Sequence, residues 1–170
     1  MTVLETERLI LRKLTTDDAD FIFELLNDPS FIRNIGDRNI RTLDDACTYI
    51  VNGPVKSYEK HGFGLYLIVL KQTNESIGMC GLIRRETLED VDIGYALLPE
   101  FWSKGYAVEA AWATKEYAKN VIGLKRLVAI VDPTNEGSIR VLEKLGMRYE
   151  KMVQLSADDI ELKFFAIDFR

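Results

Sequence analysis

Between Pro99 and Ala107 the chain runs Pro-Glu-Phe-Trp-Ser-Lys-Gly-Tyr-Ala, and this turn holds the groups best suited to chemistry. Upstream, Val91 to Leu98 is short, apolar and rich in strand formers; downstream, Ala107 to Val121 carries alanines and alternating charge at helical spacing. A strand entering a helix through Ser103, Lys104 and Gly105 leaves several backbone N–H groups at the helix start without partners. Their aligned dipoles give that end a partial positive charge, which suits an anion. Gly105 has no side chain to hold a ligand away from the main chain. The chemistry implied is the holding of a phosphate-bearing ligand by main-chain amides. Taken alone, the stretch fits an ordinary strand-to-helix turn better. His61, the only histidine, follows a predicted helix end, where an imidazolium complements the dipole, and so reads as structural. Cys80 lies inside a predicted strand with no base beside it in the sequence, and nothing marks it as a nucleophile.

The 170 residues carry a net charge of −5, which argues against non-specific nucleic-acid binding, since that needs a basic footprint. An acidic protein mildly attracts cationic substrates such as amines. No apolar run is long enough for a membrane span, and Met-Thr-Val-Leu-Glu-Thr-Glu-Arg at the start lacks a basic-then-apolar leader pattern. Cys47 and Cys80, the only cysteines, lack metal-ligand spacing. They point to a reducing, cytoplasmic setting and to no metal.

The elements that position the turn follow from period and punctuation. Glu7 to Leu14 alternates as a first strand. Thr15-Thr-Asp-Asp18 has the spacing of a capping box and opens a helix of about Asp17 to Leu26, which Asn27-Asp28-Pro29 ends. Phe31 to Asn34 fits either a loop or a short helix. Thr42-Leu-Asp-Asp45 opens a second helix reaching about Lys60, with Asn52-Gly53-Pro54 placed to kink or split it. Phe63 to Lys71 and Ser76 to Arg84 read as a hairpin around Gln72 to Glu75. After the central turn come a helix closed at Gly123, a strand Leu124 to Asp132, a helix Glu136 to Leu145, and strands Arg148 to Gln154 and Ile160 to Asp168. The strand, helix, strand unit from Val91 to Asp132 implies a parallel pair with a right-handed crossover. The expectation is one mixed α/β domain over residues 1–170.

In this order and with these motifs the chain resembles the GNAT superfamily of acetyl-CoA-dependent N-acetyltransferases. Trp102-Ser-Lys-Gly105-Tyr-Ala107 is similar to the superfamily's acyl-CoA motif: Gln or Arg, two residues, Gly, one residue, then Gly or Ala. Trp102 departs from it at the first position. That departure resembles the ribosomal-protein N-terminal acetyltransferase branch, as do Ser76-Ile-Gly-Met-Cys-Gly-Leu82, Asp92-Ile-Gly-Tyr95 and Asn135 with Ser138, Lys144 and Gly146. The resemblance covers the whole chain. It implies a mostly antiparallel twisted sheet with a central parallel strand pair and about four helices. It also implies acetyl-CoA as co-substrate, with amides of Ser103, Lys104, Gly105, Tyr106, Ala107 and Val108 on the pyrophosphate. The pantetheine arm would lie like an added strand along Ala96, Leu97 and Leu98, on main-chain groups freed by splaying of the parallel pair. Asn135 would bond the far side of the arm. Lys104 or Lys144 could add charge near the phosphates, a solvated surface lysine being the plainer reading of either.

Acetyl transfer to an amine asks for removal of an ammonium proton, polarisation of the thioester oxygen and stabilisation of the leaving thiolate. By resemblance the base is Asp92, acting through water because Asp is short. Equally weighted is a strand-end carboxylate that faces solvent or pairs with Arg84 or Arg85. The tyrosine many superfamily members use on the thiolate falls at Leu142 here and is missing. Ser138, one helical turn after Asn135, takes its place by resemblance, against the common habit of a first-turn serine bonding the backbone. A backbone N–H near Leu97 would stabilise the oxyanion. Trp102 is expected to pack under the turn. Phe31, Arg33, Tyr66 and Tyr95 could line the acceptor pocket, with ordinary packing the safer reading of each. The activity implied is transfer to a primary amine, a protein N-terminus or a small molecule, by direct attack in a ternary complex. A non-catalytic acyl-CoA-binding or sensing module on the same fold is the alternative. A protein N-terminus needs a cleft open at both ends and a small amine a closed pocket, a choice set by the Phe31 to Asn39 loop and the Ser156 to Asp159 turn. Both a monomer and a homodimer are compatible with the sequence.

Overall fold

The computed structural model describes residues 1–169. Its strands are β1 (Thr2–Glu5), β2 (Leu9–Arg12), β3 (Leu65–Leu70), β4 (Glu75–Ile83), β5 (Asp92–Leu97), β6 (Arg126–Val131), β7 (Arg148–Val153) and β8 (Leu162–Asp168). The helices are α1 (Ala19–Asn27), α2 (Pro29–Asn34), α3 (Leu43–Ile50), α4 (Lys56–His61), α5 (Tyr106–Tyr117) and α6 (Glu136–Lys144). The strands form one sheet in the order β1-β2-β3-β4-β5-β6-β8-β7. Every pairing is antiparallel except β5 with β6. This is the mixed, mostly antiparallel architecture that the resemblance implies, with the expected central parallel pair.

Local chemistry explains the boundaries. Both capping boxes form: Thr15 with Asp18, and Thr42 with Asp45. The first one opens a single 3₁₀ turn, so α1 begins at Ala19, two residues after the expected start at Asp17. Pro29 occupies the first turn of α2 with Asp28 as N-cap, which resolves the Phe31 to Asn34 ambiguity in favour of a helix. The Asn52-Gly53-Pro54 break neither splits nor ends its helix; a π-helical turn, Val51–Val55, carries the missing proline N–H and joins α3 to α4. Taking α3 and α4 as one rod gives five helices where about four were expected. Strand β1 is an addition: four residues are too few to show a period.

Two cores fix the layers. On one face Ala110, Ala111 and Ala118 of the α5 rod and Leu142 of α6 pack on Ile68, Ile77, Cys80, Ile93 and Leu97. On the other, Ile22, Leu25, Phe31, Ala46 and Ile50 of α1, α2 and α3 pack on Leu67, Val69, Met79 and Leu98. Side chains alternate across β5, so Ile93, Tyr95 and Leu97 point to the α5–α6 side and Asp92, Gly94 and Ala96 to the α1–α3 side.

Candidate active site

The turn between β5 and α5 is built to leave amides free. Ser103 and Gly105 both take left-handed conformations (φ 62° and 84°), the second of them natural only for glycine in so crowded a place. The first bond at the helix start runs from the Glu109 N–H to the Gly105 carbonyl at 3.0 Å. The N–H groups of Tyr106, Ala107 and Val108 therefore precede the helical ladder, at the positive end of the α5 dipole. From the far side of the sequence Arg8 holds this loop in place. Its guanidinium donates to Glu109 Oε1 (2.7 Å) and to the Lys104 carbonyl (3.0 Å) and lies 4.4 Å above the Tyr106 ring. The Arg8 N–H also donates to Glu109 Oε2 (2.9 Å), and the Thr6 hydroxyl joins it at 2.5 Å. Nothing in the local sequence announces Arg8.

If this loop holds pyrophosphate, Arg8 acts on affinity and not on chemistry. Arg8→Ala is expected to raise KM for acetyl-CoA about three- to tenfold with little change in kcat, and Arg8→Lys to recover little, since an ammonium lacks the planar fork. Steady-state kinetics with varied acetyl-CoA reads this; an unchanged KM removes Arg8 from coenzyme binding.

Beside the loop the sheet opens. β5 and β6 share one register pair, Asp92 with Val128, closed by the Val128 N–H bonding the Val91 carbonyl at 3.1 Å. Beyond it the strands diverge. The Leu98 N–H is spent on Ile77 of β4, so by alternation the N–H groups of Tyr95 and Leu97 face away from β4, into the gap. The Leu97 carbonyl is taken by the Trp102 indole N–H at 2.9 Å. Trp102 is thus not packed under the turn as expected: it is 46% exposed, on the wall of the cleft, because its N–H finds a partner at the open edge of β5.

Two cavities meet at this gap. The first, about 660 Å³, is lined by Ala96, Leu97, Ser103, Gly105, Tyr106, Ala107, Val108, Asn135 and Ser138, with Arg140 and Lys144 of α6. The second, about 510 Å³, lies towards α2 and α3 and is lined by Asp92, Arg85, Gly94, Tyr49, Asp132 and the turn between β7 and β8. Tyr95, Ala96, Asn135 and Ser138 border both. Two of the expected coenzyme residues fall outside: Leu98 is buried in the α1–α3 core and Lys104 offers its carbonyl to Arg8. Tyr66 is also a core residue, 1% exposed. Phe31 and Arg33 do line the second cavity.

Asn135 caps α6, its Oδ1 accepting from the Ser138 N–H at 3.2 Å, which leaves its amide nitrogen for other partners. The Ser138 and Tyr95 hydroxyls meet at 2.8 Å, where either can donate, and the Ser138 carbonyl lies 3.0 Å from the same phenol, whose single proton goes to one of the two. When Ser138 Oγ accepts it, the serine proton is free for another partner. Burial raises the Tyr95 phenol well above its ordinary value, so it stays protonated and serves as a fixed hydrogen-bonding group. Sequence reasoning had Tyr95 only as a possible pocket wall; alternation along β5 and the α6 contact give it this role beside Ser138. Asp92 is 1% exposed and paired with Arg85 at 3.1 Å. Burial pushes its carboxyl up to about 6 despite the lowering by Arg85. Cys80 is closed to chemistry: burial pushes its thiol up to about 12, and its sulfur lies 3.3 Å from the Thr114 hydroxyl in the core.

An eight-stranded mixed sheet that splays beside an amide-rich helix start is the framework of an N-acetyltransferase. A family model described as the acetyltransferase (GNAT) domain matches residues 8–148, and the chain belongs to that family. The uncharacterized N-acetyltransferase YoaA of Bacillus subtilis (strain 168) is 33% identical over 153 residues, which cover 89% of this chain and 86% of YoaA. The solved acetyltransferase of Agrobacterium tumefaciens str. C58 superposes with a TM-score of 0.84 at 25% identity, over 99% of this chain and 95% of that one. RimL, a ribosomal L7/L12 α-N-protein acetyltransferase solved with coenzyme A, shares the fold with a TM-score of 0.83 at 17% identity, over 99% and 98% of the two chains. Among the described residues no helix is long and apolar enough to cross a membrane.

Proposed function

We propose that the protein transfers the acetyl group of acetyl-CoA to the amine of a small molecule by direct attack in a ternary complex. The observation that carries this is the meeting of two cavities at Tyr95 and Ser138. The residues of the first fit coenzyme A: free amides at the α5 start for pyrophosphate, two cations, Arg140 and Lys144, beside them, and the open edge of β5 for an extended arm. The second is the acceptor side. Both segments that decide its shape, the α2 loop and the turn between β7 and β8, line it. A volume of about 510 Å³ with walls from both suits a small ligand better than a through-running polypeptide.

In the reaction the amine nitrogen bonds to the thioester carbon and the carbon–sulfur bond breaks. The proton lost by the amine passes to Asp92. Strand geometry puts Asp92 about 10 Å along β5 from Tyr95, so water carries it. The backbone N–H of Tyr95 or Leu97 meets the developing oxyanion, and the Ser138 hydroxyl, set by Tyr95, donates to the leaving sulfur. A second proton, which the nitrogen loses as the tetrahedral intermediate collapses, passes through water to the leaving sulfur, so amide and thiol are released and Asp92 returns the first proton to solvent. The free thiols of Cys47 and Cys80 support the expectation of a reducing cytoplasm. The test is release of coenzyme A thiol from acetyl-CoA against a panel of small amines and peptides. Turnover with small amines and not with longer peptides is the expected result. Coenzyme binding with no turnover on any amine would return the chain to a binding or sensing role.

A further inference from the structure

The second cavity is lined by groups of both charge signs. Arg38, in the loop after α2, Arg85, in the loop after β4, and Tyr49 of α3 all line it. Arg85 is held by Asp92 at 3.1 Å. Among the described residues neither Arg38 nor Arg33, which also lines this cavity, makes an ion pair, and the Tyr49 hydroxyl makes no hydrogen bond to the protein. Burial raises the Tyr49 phenol, and the positive charges of Arg38 and Arg85 act against that rise. The acidic residues come from other segments of the chain. Asp132 ends the β6 segment and accepts from the Thr134 N–H and hydroxyl at 2.8 and 2.7 Å. Asp158 and Asp159 belong to the turn between β7 and β8. Asp132 lies three residues before Asn135 in the loop leading to Ser138, on the side where acetyl group and acceptor would meet.

An ammonium is attracted to the carboxylates, of which Asp132 is nearest in sequence to Asn135 and Ser138, and a second, anionic group to the unpaired guanidinium groups and the phenol. We propose that the acceptor is a small amino carboxylic acid, its carboxylate bound by Arg38 with the Tyr49 hydroxyl as a further donor. The proposal rests on the reading of this cavity as the acceptor site of an acetyltransferase. A planar guanidinium offers two parallel donors to a carboxylate, which a carboxamide cannot match in charge.

The experiment compares free amino acids with their carboxamides, a polyamine and a longer peptide, by thiol release at saturating acetyl-CoA, with rates expressed per unprotonated amine. The acids are expected to have kcat/KM at least about tenfold above their amides, the scale of one charge-assisted hydrogen bond. Arg38→Gln should erase most of that ratio by raising KM for the acids. Tyr49→Phe should erase part of it. Arg41→Gln, which removes an exposed arginine paired with Asp37 at 2.7 Å outside the cavity, should leave the ratio as it is. Equal use of acids and amides, a preference for the polyamine or peptide, or an Arg38→Gln ratio like the native one overturns the carboxylate proposal alone. No acetylation of any amine while acetyl-CoA binds overturns the transferase reading beneath it.

Discussion

The catalytic advantage of the native protein over Asp92→Asn is expected to grow about tenfold per pH unit up to pH 6 or so and to be constant above, at about 10²- to 10⁴-fold in kcat/KM. Taking the ratio at each pH cancels the ionisation of the acceptor amine. The bend falls there because burial pushes the Asp92 carboxyl up to about 6, and only the carboxylate accepts a proton. Stability should move the opposite way. Asp92 has a folded value above its ordinary 3.8, so the native state binds this proton more tightly than the unfolded chain. Its contribution is most favourable below pH 3.8, declines as pH rises towards 6, and above that leaves a standing cost of about 3 kcal/mol. Asn resembles the protonated acid. Asp92→Asn should therefore be as stable as the native protein or more stable at pH 7 by denaturant titration, while losing activity. A destabilised variant with a pH-independent activity ratio would make the Arg85 pair a purely structural one.

Ser138→Ala should lower kcat about 10²-fold with KM for acetyl-CoA nearly unchanged, since a donor to the leaving sulfur matters most once the carbon–sulfur bond is breaking. The cap, in which Asn135 Oδ1 accepts from the Ser138 backbone N–H, survives the change, so α6 keeps its start. Tyr95→Phe should cost about tenfold, because it frees the serine hydroxyl, now 2.8 Å from the phenol, to turn away. If Tyr95 acts through Ser138, the double variant is no slower than Ser138→Ala. A further tenfold loss from Tyr95→Phe in the alanine background would show that the tyrosine reaches the reacting atoms by itself.

What the sequence made readable was local. A strand, a Ser-Lys-Gly turn and an alanine-rich helix lie within one short stretch, and main-chain amides at a helix start follow from backbone geometry alone. The caps at Thr15 and Thr42 were readable for the same reason. The Arg8 and Glu109 contact spans 101 positions, and neither residue has a neighbour in sequence that hints at the other. The Tyr95 and Ser138 contact spans 43. It needs both the alternation of β5 and the knowledge that α6 covers that face, and only the first is in the sequence. Trp102 went astray because a large aromatic side chain is usually better buried than bonded, and the partner of its N–H is a carbonyl that exists only because the sheet opens. The charged groups of the second cavity come from five separated segments; the Phe31 to Asn39 loop and the Ser156 to Asp159 turn were marked in the sequence, but their meeting with Tyr49, Arg85 and Asp132 was not.

The opening between β5 and β6 has a consequence for how the protein keeps to itself. An unpaired strand edge is a template for other chains, and proteins normally blunt it. The outer edges here are blunted in familiar ways: β1 has only four residues, and β7 carries Arg148, Glu150 and Lys151. The remaining open edge, at Tyr95 and Leu97, lies in the middle of the sheet, flanked by β6 and lined by α6 and the α5 start. No second sheet can be brought alongside it. Only something as narrow as a single extended chain fits beside it, so this strand edge stays hidden from aggregation without being blunted.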